Sequence, residues 1–155
     1  MSSDKFIKEY IDKKLIKPEK VRIAHIEKLI ETARKNLKAC EKTLSVDEAC
    51  AYEIAYNAML HAGRAFVFIK GFRPTTNFQH KTVVNFTEHF LGQEYKSLTD
   101  KFDYMRKNRN KFIYEPWKLH ISKTDAKNAL QSAEKFINII IQQIQKENPQ
   151  MDFHF

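Results

Sequence analysis

Glycine and proline are scarce in this chain, with three Gly and four Pro among 155 residues. That scarcity excludes collagen-like, linker-like and turn-rich all-β organisations, which depend on the breakers missing here. Cys40 and Cys50 are the only cysteines, too few for a disulfide-stapled scaffold or a cysteine-rich metal site. No apolar run is long enough to cross a bilayer, and no N-terminal stretch resembles a secretion signal. The expected setting is therefore cytoplasmic and reducing, without membrane association. Both thiols then stay reduced at apolar helical positions, in preference to a Cys40–Cys50 bridge across a helix–helix turn. A phosphate-cradling glycine loop, a helical pair of histidines with a glutamate and a cysteine cluster are all absent, so neither a cofactor nor a metal is expected.

Negative charge is also in short supply: 27 Lys and Arg face 19 Asp and Glu, for a net charge of +8. The excess favours a polyanion such as RNA, or an acidic protein, as partner. Lysines of the first forty residues alternate with Glu19, Glu27 and Glu31 and read as solvated helix surface.

What remains is a chain of helix-compatible residues with twelve Phe and six Tyr to fill a core. The expected fold is all-α, a single domain over 1-155, built as an antiparallel up-and-down bundle of about four long helices plus short ones. Residues 1-17 form an amphipathic arm in which Phe6, Ile7, Tyr10, Ile11 and Leu15 share one face. Ile23, Ile26, Ile30, Ala33, Leu37 and Cys40 recur at three and four spacing along a long second helix. Ser45 is the expected N-cap of a third helix, which is apolar nearly all round and therefore central. Its small residues at 51, 55, 58, 62 and 65 permit close helix approach. Gly71 stops it, and 72–77 reads as a loop. A short helix follows from about His80 to Phe90, then a longer one that Pro116 ends. Ser122 or Thr124 caps a last helix with its seam at Ala126, Leu130, Ala133, Ile137, Ile140 and Ile144. Residues 148-155 are expected to be a flexible tail.

The most informative segment runs from Tyr104 to Tyr114. A helical stripe through Leu98, Phe102, Met105 and Phe112 has Arg109 where another hydrophobe is expected. A guanidinium on a packing face needs a carboxylate, a subunit interface or a phosphate. Arg106, Asn110 and Tyr114 stand four residues apart on a second face, and Lys107 and Lys111 add charge. Together these residues form either a phosphate-binding surface or a solvated basic face. On the third helix Glu53, Asn57, His61 and Arg64 make a polar strip that either pairs with Arg109 across the bundle or lines a site. The six histidines form no ligand pattern, and each reads first as a core-edge or capping imidazole.

The motif Arg109-Asn110-x-x-x-Tyr114, the preceding helix from Ala51 to Ala65, the Gly71 loop leading to His80-Lys81-x-Val83 and the closing helix from Ala126 to Ile144 together resemble the HEPN family (higher eukaryote and prokaryote nucleotide-binding domain). The resemblance spans roughly residues 20 to 145 in element order. It implies a bundle that often dimerises, with two arginine motifs meeting at a cleft. Many members are metal-independent endoribonucleases, frequently toxins paired with a nucleotidyltransferase antitoxin, and others bind nucleotides or RNA without cleaving. The active pattern places a histidine five residues after the arginine, and here that residue is Tyr114.

The departure matters because a phenol, with an ordinary pKa near 10, is only about one part in a thousand ionised at pH 7, a deficit of roughly 4 kcal/mol for a general base. Binding through Arg109 and Asn110, with Tyr114 stacking or donating a hydrogen bond, is therefore the leading expectation. One alternative is a ribonuclease using Arg109 with Tyr114 or His61. Another is a non-catalytic partner module of a nucleotidyltransferase.

Overall fold

A computed structural model describes residues 1–151 and 153. Six helices carry the fold: α1 (Ser3–Asp12), α2 (Ile23–Thr43), α3 (Glu48–Ile69), α4 (Gln79–Leu91), α5 (Lys96–Tyr114) and α6 (Lys123–Glu147). Short 3₁₀ turns at Gln93–Tyr95 and Pro116–Lys118 flank α5. The all-α bundle expected from the periodicities is the fold observed.

The third helix is the axis of the molecule. Ala51, Ala55, Ala58, Ala62 and Ala65 are fully buried, and these small side chains let α2, α4, α5 and α6 all pack on α3. Phe66, Phe86, Phe102 and Phe136 fill the spaces between helices. At Gly63 the packing is closest, because a Cβ built there would lie 2.6 Å from Val83 Cγ1 on α4. Both cysteines are free. Burial pushes the Cys40 thiol up to about 11, and its Sγ–H donates to the Ala51 carbonyl at 3.1 Å.

Three local expectations are corrected. The cap of α3 is Asp47, whose Oδ1 accepts from the Cys50 amide at 2.9 Å; Ser45 lies two residues too early, in the turn that follows α2. The N-terminal arm is helical only to Asp12, and its remainder pairs as β1 (Ile16–Pro18) with β2 (Phe72–Pro74) in antiparallel register, Ile16 opposite Pro74. Half of the expected 72–77 loop is therefore a strand, and the arm is clamped to the bundle. Last, Met151 in the expected flexible tail is buried and Phe153 packs on the core; residues 152, 154 and 155 of that tail lie outside the described residues. Ser122 caps α6 as expected, in a reciprocal capping box with Asp125.

Candidate phosphate-binding site

The last three turns of α5 carry the candidate residues. Phe102 and Met105 are fully buried and fix the rotation of the helix against the core. At the next step inward the buried residue is Asn108, 8 % exposed, where the stripe had suggested Arg109. Spacings of three and four admit either position, and the shorter amide is less costly to enclose. Its Nδ2 donates to the Tyr52 hydroxyl at 3.0 Å. Burial pushes the Tyr52 phenol up to about 12, against the opposing bond from Asn108.

Arg109 is turned to the edge of the packing face, half-buried. Its Nε is buried without a hydrogen-bond partner, and no described residue forms an ion pair with it. Arg106 differs: its Nε and Nη2 each lie 2.9 Å from Asp103 Oδ1, and Lys107 Nζ reaches the same carboxylate at 3.2 Å. Burial raises the Asp103 pKa, but the bonds to Arg106 and Lys107 outweigh it and the net shift is downward. Asn110 and Lys111 are exposed. Tyr114 is the final residue of α5 and is 75 % exposed, next to the exposed Ile113 and Trp117.

The polar strip on α3 occupies half-buried positions as its spacing requires, but no hydrogen bond or ion pair joins Glu53, Asn57, His61 or Arg64 to Arg109 among the described residues. Arg64 places its guanidinium 5.9 Å from the Phe68 ring centroid, and its Nε is buried and unpaired. His61 has a buried, unpaired Nδ1. Burial lowers its pKa, and Arg64 lowers it further.

Two groups to which the sequence assigned no functional role lie nearby. Tyr56 is fully buried, and its hydroxyl lies 2.9 Å from Nδ1 of His80 on the first turn of α4. Burial raises the Tyr56 pKa, while Arg109 and then Arg106 pull it back. His80 is depressed by burial first, then by Arg109, Arg106 and Arg64. The three arginines therefore stand within electrostatic reach of one imidazole. Arg106 is engaged by Asp103, whereas Arg64 and Arg109 have no ion-pair partner among the described residues, so two of the three keep their charge available to an anion.

Among the described residues no group of three or more His, Cys, Asp or Glu converges to hold a metal, and no helix is long and apolar enough to cross a membrane. No curated protein sequence matches the chain. A family model for the HEPN domain matches residues 26–145, from the second turn of α2 to the last turn of α6. The match encloses α3, α4 and the arginine-bearing α5, and the chain belongs to the HEPN family.

Proposed function

We propose that this protein binds single-stranded RNA, or a nucleotide of the same chemistry, as a homodimer, and that its ribonuclease activity is lost or altered. Family membership supports a nucleotide-binding or ribonuclease-like role. The observation that carries the narrower reading is Arg109, a half-buried guanidinium with no anionic partner among the described residues. Lys107 and Lys111 extend the positive face, and Asn110 adds an amide. Tyr104, Tyr114 and Trp117 offer exposed ring faces on which unpaired bases stack. At the helix end an exposed phenol supplies contact rather than proton transfer, so retained binding is the simpler inheritance from the motif.

Ile113, Tyr114 and Trp117 also form an apolar edge at the end of α5, which supports burial against a second copy. The same edge favours one alternative, a docking face for a nucleotidyltransferase-type partner. The enzyme alternative, a metal-independent endoribonuclease, uses the same arginine.

The test combines sedimentation at micromolar concentration with anisotropy titration of a fluorescent single-stranded RNA over a salt series, in chelator. The expected outcome is a dimer whose affinity falls steeply with salt, by a log–log slope of about 0.7 per phosphate neutralised. Arg109→Ala should weaken binding about tenfold or more, the effect of losing one charge-assisted contact. Salt-indifferent binding unchanged in Arg109→Ala refutes the reading. Robust metal-free cleavage that vanishes in Arg109→Ala and Tyr114→Phe establishes the enzyme instead.

A further inference from the structure

His80 lies in the stretch that resembles the family but has no role assigned there or in the basic face of α5, yet Arg109, Arg106 and Arg64 all act on it electrostatically. Its Nδ1 is occupied by the Tyr56 hydroxyl at 2.9 Å. Tyr56 keeps its proton, because burial drives its pKa upward, and the phenol can donate to Nδ1 and leave the ring proton on Nε2. Nε2 forms no hydrogen bond with any described residue and is not among the buried unpaired atoms, so it reaches solvent. The ring is thus held at one end by the core and presents the other outward.

Three guanidiniums act on this imidazole through space, Arg109 and Arg106 from α5 and Arg64 from α3. Asp103, the carboxylate within this group, is engaged by Arg106 and Lys107. On β2, Arg73 is tied to Glu19. Arg64 and Arg109 each keep a buried Nε without a partner, so their charge is not neutralised within the site. Enclosing like charges beside an imidazole is unfavourable unless an anion completes the arrangement. The first turn of α4 adds to the field, since its N-cap position is Phe78 in a left-handed conformation, with φ of 52° and no side-chain cap. Phe78 is itself 75 % exposed.

We propose that His80, braced by Tyr56 and acting with the unpaired Arg64 and Arg109, is a second phosphate contact of the RNA site and takes up a proton when the phosphate binds. The proposal rests on the RNA-binding reading above and extends it from α5 to α4. A bound phosphate supplies the negative charge that the free site lacks, which reverses the disfavouring of imidazolium by the arginines. Binding then strengthens as pH falls, by at most about tenfold per pH unit for one proton.

The test is anisotropy with a fluorescent single-stranded RNA between pH 8 and pH 6 at fixed ionic strength, on wild type, His80→Gln and Arg109→Ala. It is paired with NMR titration of the wild-type His80 ring, with and without RNA. Wild type should bind several-fold more tightly at the acid end, His80→Gln should lose most of that gain, and the His80 pKa should rise on RNA binding. Oligonucleotides with and without a 5′-phosphate separate a terminal phosphate from a backbone one: a preference for the phosphorylated strand that His80→Gln abolishes assigns the terminal group, and an equal His80 effect on both assigns the backbone. Affinity that depends on Arg109 but is the same in wild type and His80→Gln at every pH, or a His80 ring whose titration RNA does not move, overturns this proposal and leaves the α5 reading standing. Absence of RNA binding at any pH overturns both.

Discussion

A side chain at position 63 would have to share its space with two neighbouring helices. An added Cβ meets Val83 Cγ1 of α4 at 2.6 Å, Phe102 Cε2 of α5 at 3.5 Å and Thr87 Cγ2 of α4 at 3.6 Å. Val83 is fully buried and, being β-branched on a helix, has no alternative rotamer to retreat into. Alanine recovers up to about 1 kcal/mol of helix propensity, but overpacking costs about 1–3 kcal/mol. The clash is well inside contact distance, so strain wins. Gly63→Ala is expected to lower stability by about 1 kcal/mol or more, read as a reduced urea midpoint with unchanged slope; a raised midpoint would sink the argument. The same close approach brings His80, one turn before Val83, against Tyr56. That pairing was illegible in the sequence, because it joins residues on different helices and no local period encodes it. Tyr56 had the pattern of a core aromatic, and His80 that of a helix-start imidazole. Arg109, Asn110 and Tyr114 were legible because a short motif on one helix carries them. Asn108 was not, because it and Arg109 compete for one step of the stripe and only packing decides between them.

Helix ends make the next test. Asp47 bonds the Cys50 amide at the start of α3, whereas Ser45 is exposed in the preceding bend. Asp47→Ala should cost about 1 kcal/mol, and Ser45→Ala a few tenths at most. Equal losses in chemical denaturation would contradict the assigned cap. Most elements could be read beforehand for a related reason: long helices repeat their apolar spacing over many turns, as α2 and α6 do, and a central helix is apolar all round, as α3 is. The two strands escaped because each has three residues and ends in proline. Neither shows an alternating pattern. Their identity lies in pairing with each other across the intervening helices, and that is a tertiary event.

At the scale of the whole molecule, protonation opposes the fold at several places together. His61, His80 and His89 all have folded pKa values lowered first by burial. A histidine with a depressed folded pKa binds protons more readily once unfolded, so its contribution is complete above the unfolded value near 6.5 and is lost as pH falls through the folded value. Asp103 and Asp125 are also lowered, but their contributions persist until the pH drops below the usual carboxylate value of about 4. Thermal melts at fixed ionic strength should therefore begin to decline below about pH 6.5, ahead of any carboxylate-driven loss. A melting temperature constant from pH 7.5 to 5 would refute this. The ribbon between β1 and β2 has a different consequence, one of timing. Ile16 pairs with Pro74, a separation of 74 − 16 = 58 residues. On a ribosome adding 5–20 residues per second, the arm therefore waits roughly 3–12 s for its partner strand to be made. During that interval Phe6 and Ile16, both buried in the finished fold, lack their partners on α4 and β2, and only Tyr10 of the same helix can stack on Phe6. The arm is thus made before the segments it docks on, and while it waits it exposes apolar surface of the kind that chaperones at the ribosome exit bind.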